Sequence, residues 1–372
     1  MKTKIVGAAL LMASVSAFSQ SSVTLYGRMN TGIEYINGLP DGKGANHSQW
    51  RQEADWGCSL FGLMGSEDIG AGTQIIFRLE SQLNIANGNA GAGGSQFFNR
   101  YAFVGAKNDR YGTLTMGRRL EIVTTGDWDF DPFGQSNWSS ASMIRGRNWP
   151  AVSNSIFYQS PNFGGFVAAA QFSLSNSTNW NGGPSNTSGQ GREAGVQLSY
   201  TTGLFELSGI YDEVRNPLTG QFDDVFNYSR QYFAGLNVFL GPVKLSAAYQ
   251  TSRASSASSS ANTNSTHATT EWGGVTYQVA PQAALIAAVY HGSANHGGGS
   301  ATMYTIGGDY FLSKRTSLNF QLATVRNSAN ANYGLEANGA SLSTLASGSA
   351  SSDNPMAGHS QSGFYVGIQH AF

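Results

Sequence analysis

The sequence is short of several things at once. It has one cysteine, Cys58, in 372 residues, so no disulfide can form within the chain. Only 12% of its residues are charged, about half the usual share. After the first twenty residues no run of about eighteen apolar residues occurs, which excludes a protein that crosses a membrane with helices. Lysine and arginine total 21 against 22 acids, a balance that leaves no field for a nucleic-acid partner.

Catalytic motifs are missing too. Gly358–Ser362 (GHSQS) lacks the final glycine of a nucleophile elbow and lies in a long connection. Among the six histidines, His47, His267, His291, His296, His359 and His370, no pair has convincing metal-ligand spacing; His291 and His296 straddle a glycine-containing loop. The glycines of Gly88–Gly94 have no lysine and helix behind them to cradle phosphate. No enzyme activity, cofactor or metal is expected.

What is present is a leader and an alternation. Lys2 and Lys4 precede the apolar run Ile5–Val15, and Ala17-Phe18-Ser19 offers a cleavage site before Gln20, so residues 1–19 read as an export signal. The remaining 20–372 form one domain, with 19 basic and 22 acidic side chains, net −3. Glycine is abundant at 47 residues, alongside 21 phenylalanines and 16 tyrosines. Sixteen period-two segments recur, from Ser22–Asn30 (SVTLYGRMN) to Ser362–Phe372, and short turns alternate strictly with long polar links. Every long link then emerges on one side of the sheet. That pattern predicts an all-β fold, a closed antiparallel up-and-down barrel of about sixteen strands crossing an outer membrane, with apolar residues outward and polar ones inward. The Ser/Ala-rich links Arg253–His267 and Leu342–Ser352 read as mobile outer loops.

One link differs in kind. Residues 119–152 carry Trp128, Phe130, Phe133, Trp138, Met143, Ile144 and Trp149 together with Glu121, Asp127, Asp129, Asp131, Arg145 and Arg147. So many apolar anchors indicate a loop packed against something, its charges facing a wet space. By alternation Arg28, Arg78, Glu80 and Arg100 point to the polar face, and either Arg118 or Arg119 does so according to whether the strand kinks at Gly117.

Five stretches also carry a resemblance: QSSVTLYGRMNTGIEY, SLFGLMGSEDIGAGTQIIFRLE, FFNRYAFVGAKNDRYGTLTMGR, NSIFYQSPNFGGFVAAAQF and the closing FYVGIQHAF. Together they resemble the trimeric general diffusion porins of Gram-negative bacteria, in the branch found in Neisseria, Bordetella and Burkholderia relatives. The resemblance implies a sixteen-stranded homotrimeric barrel whose third loop, here about 119–152, folds into the lumen as a constriction. It also implies that Phe364, Val366, Ile368, His370 and Phe372 act as the signal read by the outer-membrane insertion machinery. Leu60 and Met64 stand where the family commonly has Arg and Lys, which thins the basic wall.

The expected function is passive diffusion of small hydrophilic solutes and ions, with outer-membrane lipid and lipopolysaccharide as surroundings. A sugar-selective channel with Trp128, Phe130 and Trp138 as a stacking track is the alternative, and a surface adhesin or phage receptor with a closed bore a third. A constriction with Glu121, Asp127, Asp129 and Asp131 facing Arg28, Arg78, Arg100, Arg118 and Arg119 would set up a transverse field. With two basic positions lost and net charge −3, a slight cation preference is expected. Gly27, Gly32, Gly57, Gly62 and Gly65 are read as sites of close approach between barrels, or of strand to loop.

Overall fold

The structure is a computed structural model that describes residues 22–41, 43–90, 96–174, 191–258, 264–336 and 353–372. The leader 1–19 and the link Leu342–Ser352 lie outside these. Strands β1 (Ser22–Pro40), β2 (Asn46–Glu53), β3 (Ser59–Gly70), β4 (Thr73–Asn84), β5 (Asn89–Ala90) and β6 (Tyr101–Asn108) come first. Then follow β7 (Gly112–Leu120), α1 (Ile122–Asp127), α2 (Ser140–Met143), β8 (Ala151–Gln159), β9 (Phe166–Ser173) and β10 (Glu193–Thr201). The chain continues with β11 (Phe205–Val214), β12 (Arg230–Leu240), β13 (Val243–Arg253) and β14 (His267–Ala280). It ends with β15 (Ala283–Ala294), β16 (Gly299–Phe311), β17 (Thr316–Asn327) and β18 (Gln361–Ala371).

Of the 18 strands among the described residues, β2 and β5 are accessory, and the other sixteen form an antiparallel ring. Closure is made by β1, which pairs with β3 along its first half and with β18 along its second. The carboxy-terminal residue completes the seam: Phe372 N–H donates to Gly27 O at 3.0 Å and Gly27 N–H returns the bond at 3.2 Å. A Cβ on Gly27 would lie 2.5 Å from the Phe372 ring, so the glycine is required by the terminal aromatic.

Two expectations about local structure change. The first polar link is largely strand: β1 runs on to Pro40 and β2 doubles back on it, with Glu34 opposite Arg51 and Tyr35 opposite Trp50. The Tyr35 and Trp50 rings, 5.0 Å apart, stabilise the hairpin beyond the ring of strands. The early glycines, in turn, face side chains of their own chain. Gly32 lies under Tyr365, Gly62 under Tyr26 and Gly65 under Phe77. Aromatic side chains on neighbouring strands fill these positions, so the glycines are not free for an adjoining barrel.

Alternation holds on the outward face, where Leu236, Leu245, Leu285, Val289, Ile306, Leu318, Val366 and Ile368 are exposed. The inward face is not uniformly polar. On β12 to β18 it carries Phe233, Trp272, Ile286, Tyr290, Met303, Val325 and Tyr365, all buried. They form one cluster with Ile122, Val123, Phe130, Phe133, Trp138, Met143 and Ile144 of the 121–150 segment. The main hydrophobic core is therefore inside the ring, between that segment and the wall across from β7.

Candidate functional site

Residues 121–150 leave β7 and return to β8 with their ends clamped together. Glu121 N–H donates to Pro150 O at 3.0 Å, and the Arg147 guanidinium pairs with Glu121 at 2.9 Å and with Asp212 of β11 at 2.6 Å. The middle of the segment is seated on glycines of the opposite wall. Added Cβ atoms would meet the Phe130 ring at 2.6 Å from Gly235, Phe133 at 2.8 Å from Gly307 and Trp138 at 2.6 Å from Gly363. These glycines leave hollows into which the rings fit.

Hydrogen bonds fix the register of this docking. Trp272 Nε1 donates to Phe130 O at 2.9 Å, Thr305 Oγ1 to Trp138 O at 3.0 Å, and Gln321 Nε2 to Ser136 Oγ at 2.8 Å. Phe130 and Trp138 are fully engaged as anchors and leave no face free to stack on a sugar. Trp128 differs, since it is half-buried and borders open space.

The four acids of the segment have different fates. Asp131 is a turn residue: its carboxylate accepts from Tyr290 OH at 2.7 Å, Phe133 N–H at 2.9 Å and Ser140 N–H at 3.0 Å. Glu121 is buried against Arg147. Asp127 is buried as well, and burial, reinforced by Asp131, pushes its carboxyl well above the usual carboxylate range. Asp129 alone is exposed, with its carbonyl accepting from Lys244 Nζ at 3.2 Å. The expected array of acids facing arginines is thus reduced to one exposed carboxylate, because the other three are buried.

The basic residues stay on the wall made by β1, β3, β4, β6 and β7. Glu80 binds two of them, Arg78 at 2.5 Å and Arg100 at 2.7 Å. Arg78 also donates to Tyr26 OH at 2.7 Å and lies 4.0 Å over the Tyr101 ring. Arg28 donates from Nε to Cys58 O at 2.8 Å. Arg119 stacks 3.3 Å over Phe157 and donates to Thr115 Oγ1 at 3.0 Å. The buried Thr115 and Phe157 put Arg119 on the inward face.

Arg118 departs from the expected set. Its register partner is Ala102, so it shares the outward side with Met116 and Val104, both more than half exposed. The register shift after Gly117 lies on the β8 side of β7 and does not rotate Arg118 inward. Its guanidinium instead binds Asn99 O at 2.8 Å and Ser153 Oγ at 2.7 Å. Strict alternation, which favoured Arg119, holds.

Between the two walls lies a cavity of about 340 Å³ lined by Arg28, Cys58 and Arg100 on one side and by Trp128, Gln135 and Trp149 of the segment on the other. Leu60 and Met64 are on the inward face of β3, paired with Arg28 and Thr24 of β1. The arrangement offers a water-accessible passage flanked by guanidinium groups. At the carboxy terminus, Val366, Ile368, His370 and Phe372 are exposed, and Phe364 partly so, on one outward stripe.

Comparison with known proteins gives a consistent picture. The profile described as Gram-negative porin matches residues 7–330. An outer membrane porin protein of Bordetella pertussis is 31% identical over 272 residues, covering 67% of this chain and 69% of its own length. Outer membrane porin protein 32 of Delftia acidovorans is 29% identical over 386 residues and covers 100% of both chains. Among solved structures, an anion-selective porin from Comamonas acidovorans superposes with a TM-score of 0.75 at 25% identity, over 95% of this chain and 100% of that one.

Proposed function

The chain belongs to the Gram-negative porin family and forms a diffusion channel in the outer membrane, and on that premise we propose that the 121–150 segment is its constriction, with a weak preference for anions. The observation that carries the sign is the division of charge between the walls. Arg28 and Arg100 line the cavity against a single acid, Glu53, with Arg78 and Arg119 on the same wall and Glu80 paired to Arg78 and Arg100, whereas three of the four loop acids are buried. The net sign of charge at a constriction biases which ion passes. The solved relative is itself described as anion-selective. This reverses the slight cation preference expected from overall charge, because net charge counts buried and exposed acids alike.

Further features extend the reading. Residues 1–19 act as a cleaved export signal. Phe364, Val366, Ile368, His370 and Phe372 present the insertion machinery with an aromatic-ended apolar stripe, and the seam to Gly27 is the supporting contact. A homotrimer suits the strongly exposed Val23, Leu25 and Ile33 on β1, and the rest of the apolar belt meets lipid, with lipopolysaccharide above it. A stacking track for sugars is reduced to Trp128 at the open space, since Phe130 and Trp138 are withheld.

The deciding measurement is the reversal potential of the purified protein in planar bilayers under a potassium chloride gradient. An anion-preferring value that moves toward cations in Arg28→Ala and Arg119→Ala is the expected result. A cation-preferring channel, or one whose reversal potential ignores both substitutions, would reject this assignment of the constriction. Because screening acts over about 8 Å at physiological salt, the preference should fade as salt rises.

A further inference from the structure

Beside the arginine wall, the hairpin of β1 and β2 meets the link after β17 in a cluster of acids. Glu34, Asp55 and Glu336 place ligand oxygens within 4.8 Å of one another. Glu53 and Asp353 are near enough to act on the same carboxylates. The counter-charge comes from Arg51, which pairs with Glu34 at 2.6 Å, Glu336 at 3.3 Å and Asp353 at 3.1 Å. Five acids and one base leave the group at −4 when all are ionised.

Two oxygens in this cluster are unpartnered. Glu34 Oε2 and Asp55 Oδ2 have no hydrogen-bond partner among the described residues, and both side chains are 0% exposed. A buried carboxylate oxygen without a donor is costly unless a proton or a cation satisfies it. Ion pairing with Arg51 uses the other oxygen of Glu34, and Asn137 Nδ2 uses the other oxygen of Asp55 at 3.0 Å. The free oxygens therefore share a space that accepts positive charge.

We propose that Glu34, Asp55 and Glu336 bind one divalent cation of the calcium class. The donor set is all oxygen and carboxylate-rich, which suits a hard ion and disfavours a soft one. Calcium–oxygen bonds of about 2.3–2.6 Å let one ion bridge oxygens up to about 5 Å apart. The ion would join three parts of the chain: β1, the turn after β2, and the link after β17. It would also reach the constriction, since Asn137 donates to both Asp55 and Glu336 and its N–H bonds Asp55 O at 2.8 Å.

Trp56, next to Asp55, makes the test direct. Full-length protein stripped with EDTA is titrated with terbium(III) under tryptophan excitation, then with calcium. The expected result is a saturable terbium emission that calcium displaces, with affinity falling about tenfold or more in Asp55→Asn and Glu336→Gln. An exposed-acid control, Glu67→Gln, should keep it. If Asp55→Asn does not assemble, Glu336→Gln, at a partly exposed side chain, decides alone. No emission in the unmodified protein, or emission unchanged in Glu336→Gln, overturns the site and leaves shared protons as the answer.

Discussion

The two halves of this barrel's inner wall solve opposite problems with the same strand geometry. From β12 to β18 large apolar side chains and glycines receive Phe130, Phe133 and Trp138, with buried polar residues such as Thr305 and Gln321 bonding the loop's backbone and serine. From β1 to β7 they are arginine, tyrosine and glutamate, held by short hydrogen bonds and ring stacking beside open space. One wall is spent on holding the loop, and the other is left to meet the solute. The difference shows that a barrel interior is not one environment. Large apolar inward residues gather where the chain itself fills the lumen, and the paired arginines stand where it does not.

The strongest way to break that division is to unseat the loop. Trp138 is wholly buried, and truncating a buried tryptophan to alanine costs about 3–5 kcal/mol. Trp138→Ala should lower the denaturation midpoint and make single-channel current larger and noisier. If current is unchanged, the loop does not form the constriction. A subtler attack fills a socket from the other side. Gly363→Ala should cost about 1–3 kcal/mol by overpacking against the Trp138 ring, with the same change in noise at smaller amplitude.

Two further predictions concern charge. Asp129→Asn should shift the reversal potential toward anions, whereas Asp127→Asn should not, because only Asp129 is exposed. For Asp127 the pH sign is also set. A carboxyl whose folded-state pKa lies above its unfolded value favours the folded state at low pH, and that advantage is lost as pH rises toward and through the raised pKa. Loop noise should therefore grow on alkalinisation in the unmodified channel and stay flat in Asp127→Asn. The smallest effect is Arg118→Ala. An outward arginine at this position should leave ion preference unchanged and stability within about 0.5 kcal/mol.

The barrel was legible because its signals are local. Period-two alternation and the order of short and long links need no tertiary knowledge, and all sixteen segments are strands of the ring. The site was only half legible. Arg28, Arg78 and Arg119 follow from alternation alone, whereas Arg100 stands just before β6, on the parity of outward Ala102 and Val104, and reaches the inner wall through its pair with Glu80. The fates of Glu121, Asp127 and Asp131 depend on partners far along the chain, Asp212 and Tyr290 among them, and no spacing rule announces those. The inner glycines were ambiguous for the same reason. Gly235, Gly307 and Gly363 look like ordinary strand interruptions until the rings that occupy them are in place. The acidic group of Glu34, Asp55 and Glu336 combines residues up to three hundred positions apart.

The docked loop has a mechanical side as well. A hollow tube of strands is stiff along its hydrogen-bonded hoop but can be flattened, since nothing inside resists a change in cross-section. Here a segment anchored at β7 and β8 is pressed by Phe130, Phe133 and Trp138 into the far wall, so it acts as a diametral strut. Squeezing the tube must either compress a close-packed contact or pull it apart, and packed interiors resist both. Lateral pressure from the surrounding bilayer would then be carried partly across the bore, and the open cross-section would hold its shape as membrane tension changes.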